Sequence, residues 1–333
     1  MPQRDQEKSL RVLVHGLAYF SERLPALLRC KGWEIRYHSV KNLRSLLALA
    51  WELYRADLLF VWGARISMGK VLWLARLLRK KKVVMFWSGS DVLGAQMQFA
   101  EGKMSPWIAS QIHWAGAPWL AEEIRALGLP CEYVPVTWIP PASNPVELPE
   151  VFSIATYMPA VSRGELYGLS RILRVARSLP HIPFELLGLT EGEIKNPPPN
   201  LRILGRTQDT SAYYRRASVY WRPVSHDGLS FMSLEALSHG RYVLWSYPFP
   251  HCIQSSSAET DIAELQRLHA LHQAKSLPLN RSGADFVAQR FSPECIREDY
   301  LRRWREIILS PEAPSHVADV GRNESSSREP SRL

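Results

Sequence analysis

The chain has 333 residues, of which 46% are hydrophobic, 22% charged and 10% aromatic, and that balance excludes disorder over most of its length. The formal net charge of +9 suits an anionic partner, such as nucleic acid, phospholipid or a phosphate ester, but does not choose among them. The length favours two domains, each able to bury its own core. Cys30, Cys131, Cys252 and Cys295 are scattered, with no CxxC pair and no histidines at metal-ligand spacing. A disulfide framework is therefore not expected, and a reducing cytoplasmic setting fits best. The polar opening MPQRDQEKS is not expected to be a signal peptide, and no apolar run reaches the roughly 20 residues of a membrane span.

In chain order, short Val/Ile/Leu runs alternate with amphipathic segments. Leu10–His15 reads as a buried strand, 21–31 as a helix and Trp33–Val40 as a second strand. The next helix is expected to turn Leu43, Leu46, Leu47, Ala50, Leu53 and Tyr54 inward, with Arg44, Glu52 and Arg55 opposite. Strands over Asp57–Trp62 and Lys82–Trp87 flank a helix over Lys70–Lys80. Gln111–Ala115 and Cys131–Val136 continue the pattern. Continuous apolar strands between helices predict a parallel sheet covered on both faces.

The proline-rich stretch from Ile139 to Pro149 cannot continue either regular structure and reads as a linker, centred on 141–150. It separates an N-terminal domain over 1–140 from a second over 151–292. The alternation restarts with Phe152–Tyr157, a helix with Leu166, Leu169, Leu173 and Ala176 inward, and strands at Phe184–Leu187, Leu201–Leu204, Val219–Trp221 and Tyr242–Trp245. A last helix over 293–309 is expected to pack back on the first domain. The Ser/Pro/Glu/Arg-rich 310–333 reads as a disordered tail. The architecture is α/β, with two doubly wound halves.

The densest chemical signal lies between Asn200 and Trp245. A strand ending at Trp221 leads through Asp227 and Gly228 into a helix expected over about Leu229–His239. Gly228 permits a tight turn, and the amides of the helix's first turn suit a phosphate. Glu235 stands eight positions beyond Asp227 on that helix, where its carboxylate can accept hydrogen bonds from a ribose diol.

The order strand, Pro223, Asp227-Gly228, Glu235-Ala236, Gly240, Val243 resembles the retaining GT-B glycosyltransferases of the family 4-like group, which carry a Glu-x7-Glu signature. ILGRTQD followed by AYYRRAS, and FWSGSDV over 86–92, are similar to further stretches of that group. The resemblance spans roughly 10–309 and is strongest over 200–245. It implies two Rossmann-like domains facing a cleft, a nucleotide-sugar donor as co-substrate, and no metal or other cofactor. It assigns the ribose hydroxyls to Glu235, donor-sugar hydroxyls to Asp227, and diphosphate-binding amides to Gly228, Leu229 and Ser230. Gly16 would let backbone approach donor or acceptor, and Asp91 would face the acceptor. A glycan or lipid-linked acceptor follows, with the leaving phosphate taking the acceptor proton.

Two features depart from the pattern. The first acidic position is Asp, one methylene shorter than Glu. The group's diphosphate-gripping Arg and Lys have no counterpart in ATYMPAVSRGELYGLSRIL, where Tyr157 and Tyr167-Gly168 stand instead, so Arg163 and Arg222 are the candidates for that charge. His226, beside Asp227, is a further candidate. His15 and His239 are weaker, and no metal site is expected from His113, His226 or His251.

Arg79–Lys82 ends a helix containing Trp73 and Leu77, which reads either as a solvated helix end or as a contact with an anionic membrane surface. The leading expectation is a cytoplasmic, peripherally membrane-associated glycosyltransferase. The alternatives are a related epimerase or inverting transferase, and a non-catalytic nucleotide-binding or scaffold protein. Nucleic-acid binding rests on charge alone and is not expected.

Overall fold

A computed structural model describes residues 9–38, 42–80, 82–140, 147–207 and 209–311. The first lobe runs β1 (Leu10–Gly16), α1 (Ala18–Ser21), α2 (Leu24–Leu27), β2 (Trp33–Tyr37), α3 (Leu43–Arg55), β3 (Leu58–Trp62), α4 (Lys70–Leu77) and β4 (Val83–Trp87). It continues with α5 (Ser90–Ala100), α6 (Pro106–Ala109), β5 (Ile112–Ala115), α7 (Pro118–Ala126) and β6 (Cys131–Tyr133). The second lobe runs β7 (Ile154–Tyr157), α8 (Leu169–Ser178), β8 (Phe184–Leu187), β9 (Leu201–Ile203), α9 (Thr210–Arg216) and β10 (Val219–Arg222). Then come α10 (Phe231–Ser238), β11 (Tyr242–Trp245), β12 (Ile253–Gln254), α11 (Ala258–Gln273), α12 (Arg281–Arg290) and α13 (Pro293–Leu309).

Each lobe is built on a six-stranded parallel sheet, ordered β2-β1-β3-β4-β5-β6 in the first and β12-β11-β10-β7-β8-β9 in the second. β3 and β4 are buried at every position, as strands covered on both faces must be. In each sheet the chain winds outward in both directions from an inner strand. The reversal lies between β1 and β3 in the first lobe and between β7 and β10 in the second, and such reversals leave crevices at the carboxyl ends of the strands.

α13 follows the second lobe in sequence but lies on the first. Tyr300 and Trp304 are fully buried there, with Trp304 5.5 Å from Phe60 and Tyr300 5.8 Å from Trp114 between ring centroids. Arg303 adds an ion pair to Glu132 at 2.5 Å. The core is continuous between the lobes, taking in Tyr214, Leu229, Leu234 and Trp245 together with the first sheet.

Several expectations need correction. The helix expected over 21–31 is reduced to the four-residue α2, preceded by the short α1 that ends at Ser21, because Pro25 suits the first turn of a helix and not its interior. The strand from Cys131 ends at Tyr133, and the helix after Gly228 starts at Phe231 and not Leu229. α3 is rotated from its expected setting: Leu49 and Leu53 are buried, while Leu47 and Tyr54 face solvent beside Trp51. Residues 141–146 of the linker and 312–333 of the tail lie outside the described residues, as does Lys81 of the basic run. Lys80 and Lys82 are fastened to backbone: Lys80 Nζ donates to the carbonyls of Tyr54 and Ala56, and Lys82 Nζ to those of Ile308 and Ser310. The basic run therefore ties α4 to the ends of α3 and α13. No helix among the described residues is long and apolar enough to cross a membrane.

Candidate active site

The carboxyl ends of the two sheets face one another across a cleft of about 820 Å³. Leu17, Phe20, Arg23 and the Ser88–Ser90 loop line it from the first lobe, and Tyr157, Arg163, Tyr167, Arg222 and the 226–232 segment from the second. Glu235 closes its floor.

The lobes touch at the turn after β10. A Cβ at Gly228 would lie 2.0 Å from the Ser88 carbonyl oxygen, so only glycine permits this approach. Trp119 Nε1 donates to the Asp227 carbonyl at 2.7 Å, His226 Nε2 lies 3.0 Å from Glu123 Oε2, and Thr137 Oγ1 donates to the Leu229 carbonyl at 3.3 Å. Thus α7 and the segment after β6, both in the first lobe, hold the segment that opens α10.

Ser230 caps α10, its Oγ accepting from the Ser233 amide at 3.1 Å, and its carbonyl receives the Leu234 amide. Among the described residues, the amides of Gly228, Leu229, Ser230, Phe231 and Met232 have no acceptor within the protein. Unpaired amides at the positive end of a helix dipole form a site for an anion.

One turn further along α10, the Glu235 carboxylate accepts from Tyr214 Oη at 3.1 Å. Tyr214 also lies 3.0 Å from the Met232 carbonyl, so one proton serves two acceptors. Burial pushes the Glu235 carboxyl above the usual carboxylate range, although hydrogen bonds from Tyr214 and Thr210 favour its charged form.

Asp227 lines the cleft, but its carboxylate is already occupied. Arg222 grips it through Nε at 2.5 Å and Nη2 at 2.8 Å, and Trp245 Nε1 donates at 3.1 Å. The pair is buried, and Arg222 also lies over the Tyr167 ring at 5.3 Å. Asp227 is thus not a carboxylate turned freely toward a sugar, and Arg222 is not an unpaired cation for a diphosphate. Arg163 is exposed at the rim of the cleft. His226 is committed to Glu123 and bridges the lobes.

Asp91 is also occupied. Its carboxylate is buried and accepts from the amides of Ser88, Gly89 and Val92 at 2.7–3.1 Å, fixing the Gly-Ser turn that meets Gly228. Burial raises its pKa against the effect of those amides. Gly16, at φ +136°, packs where a Cβ would be 1.8 Å from the Trp62 carbonyl oxygen. It lines a second cavity, of about 1000 Å³, at the reversal of the first sheet together with His15, Arg65, Lys70 and Asp91. His15 is held below its usual pKa by burial. His113 is buried between Trp87 and the Ile108 carbonyl, and burial lowers its pKa to about 4, as a neutral core residue requires. No cluster that could hold a metal occurs among the described residues.

Sequence reasoning missed Trp119, Glu123 and Tyr214. Each acts across more than 20 residues of chain; Trp119 and Glu123 lie in no local motif, and Tyr214 lies within AYYRRAS, where nothing local marks it as a partner of Glu235.

No family model and no curated protein sequence matches the chain. Solved structures do match in shape. A glycosyltransferase from Rickettsia africae superposes with a TM-score of 0.63 at 11% identity, over 91% of this chain and 99% of that one. Sucrose-phosphate synthase from Thermosynechococcus elongatus gives 0.61 at 12% identity, over 90% and 99%. Anabaena HepE in complex with UDP gives 0.61 at 8%, over 89% and 100%. The chain has the GT-B fold. In GT-B terms, β7–α12 form the second Rossmann-like lobe, and α13 is the segment that crosses back to the first. The likeness is one of architecture, so what this GT-B cleft does must be argued from its own residues.

Proposed function

We propose that this protein is a glycosyltransferase that moves a sugar from a nucleotide-sugar donor to a glycan, lipid-linked or small-molecule acceptor, with retention at the anomeric carbon. The observation that carries the reading is the juxtaposition of five unpartnered amides, at 228–232, with the Glu235 carboxylate one helical turn beyond, in a cleft of about 820 Å³. A nucleoside diphosphate has matching chemistry: a dianionic phosphate for the amides and a ribose diol for the carboxylate.

In the proposed reaction the bond between the anomeric carbon and the phosphate oxygen breaks. The acceptor oxygen forms the new bond on the same face, and its proton passes to the departing phosphate. The protein's part is to stabilise charge on that phosphate, through the amides and the α10 dipole, with Arg163 at the rim. Asp227 serves by holding Arg222 and the turn in place. A lipid-linked acceptor at an anionic membrane surface fits the net charge of +9.

One feature favours a second reading, nucleotide binding without transfer: the Asp227 carboxylate is consumed by Arg222 and Trp245. Turnover decides between them. Purified protein incubated with a panel of nucleotide sugars and candidate acceptors should release nucleoside diphosphate and yield a glycosylated product by mass spectrometry, and Glu235→Ala should not. Nucleotide binding with no turnover of any donor would favour the second reading.

A further inference from the structure

α3 and α4 carry apolar side chains on the faces turned away from the core. Leu47, Trp51 and Tyr54 follow one another at helical spacing along α3 and are 65%, 58% and 66% exposed. Trp73 and Leu77 do the same on α4, at 58% and 60%. A soluble helix normally shows water its polar face, whereas these two are apolar on the outer face as well as on the inner one, where Leu49 and Leu53 of α3 and Val71, Leu72 and Ala75 of α4 are buried.

The two helices are neighbours. The β2-to-β3 and β3-to-β4 connections run in the same direction along the sheet, and right-handed crossovers place α3 and α4 on one face of it. Lys80, just past α4, donates to the Tyr54 carbonyl at the end of α3 at 2.9 Å. Leu46 of α3 and Lys70–Leu72 of α4 wall the same 1000 Å³ cavity.

Around these side chains positive charge predominates. Arg44, Arg55, Lys70, Arg76 and Arg79 border them, with Arg55 lying over Trp51 at 5.8 Å. Glu52 is the sole carboxylate on the two helices, and it is paired with Arg36 at 2.7 Å. Trp and Tyr with an apolar body and a polar edge, ringed by cations, fit the headgroup level of a bilayer containing acidic lipid. A second copy of the chain fits poorly, since a two-fold contact would lay this cationic rim upon itself.

We propose that the α3–α4 face is a docking surface for an anionic membrane, inserted through Leu47, Trp51, Tyr54, Trp73 and Leu77. Docking does not depend on the donor reading. It deepens that reading by making the acceptor a membrane-resident one, whose headgroup meets the cavity between the same two helices.

The test is co-sedimentation of the full chain with vesicles of phosphatidylcholine alone and of phosphatidylcholine with phosphatidylglycerol, alongside nucleotide titration. The protein should pellet with the acidic vesicles, not the neutral ones, and release as salt rises. Trp51→Glu/Trp73→Glu should lower the partition coefficient at least about tenfold, with nucleotide affinity and the circular dichroism spectrum unchanged. Trp51→Ser/Trp73→Ser, which adds no charge, should lower it in the same direction. The proposal is overturned if the parent stays in the supernatant, if both variants pellet like the parent, or if light scattering shows a parent dimer that the variants turn into monomers. Vesicle binding without nucleotide binding would uphold docking while removing the donor reading.

Discussion

Asp227→Ala should destabilise the second lobe far more than an ordinary cleft substitution. The Arg222 side chain is 8% exposed and that of Asp227 11%, so solvent screens their bidentate pair little. Removing the carboxylate leaves a guanidinium in low dielectric with Tyr220 Oη at 3.4 Å and the Tyr167 ring as its remaining partners. Orphaning one member of such a pair costs about 3–5 kcal/mol, and the adjoining cleft, which can admit water, points to the lower end of that range. Asp227→Asn, which keeps an acceptor for Trp245, should lose about half as much. In a double-mutant cycle with Arg222→Met, the two losses should couple by about 2 kcal/mol or more, because the second substitution removes the charge stranded by the first. Urea unfolding followed by tryptophan fluorescence measures this directly, with Trp245 hydrogen-bonded to the pair. A loss below about 1 kcal/mol for Asp227→Ala, with additive single effects, would refute the reasoning and restore Asp227 as a side chain free for substrate.

Asp91→Ala should cost about 1–3 kcal/mol through the stranded amides of Ser88 and Gly89, measurable by thermal unfolding, and should loosen the turn without removing any charge from the donor site. Gly228→Ala places a Cβ 2.0 Å from Ser88 carbonyl oxygen, so the lobes must move apart, and hydrogen exchange should rise in both the 86–92 and 226–232 segments. Glu235 gives a pH signature. Its raised pKa means that the native state keeps its proton where the unfolded chain has lost it, so stability falls as pH rises from the ordinary glutamate value of about 4.3 through the raised one, then levels. Glu235→Gln lacks that decline, so its advantage over the parent should be larger at neutral pH than in acid; denaturant midpoints across pH read this, and parallel curves would contradict it.

Much of the fold was legible because parallel strands buried on both faces are written as unbroken apolar runs, as in LLFVW and VVMFW. α10 was legible for a local reason too, Asp227-Gly228 ahead of Ser230 being turn and cap chemistry in sequence order. α11 and α12 were not read. The capping pair Ser257 and Thr260 was a usable signal for α11, but Asp261, Leu265 and Leu268 make a weak buried stripe. α3 was misread because its apolar residues nearly encircle it, and amphipathicity alone cannot say which arc a sheet will cover. In the site, the positions of Gly228 and Glu235 followed from spacing. The pairing of Arg222 with Asp227 did not, since a charge five residues from another reads equally as a partner or as a ligand group. The α7 contacts to 226–227 join residues 103 and 108 apart in sequence, beyond any local pattern.

The measurement closest to the central claim is calorimetric titration of the parent and Glu235→Ala with uridine, guanosine and adenosine diphosphates. The parent should bind at least one of them, and the variant should bind it at least about tenfold more weakly, as expected for loss of buried hydrogen bonds to a charged group. Equal affinity in the two proteins, or no heat with any nucleotide, would contradict that claim.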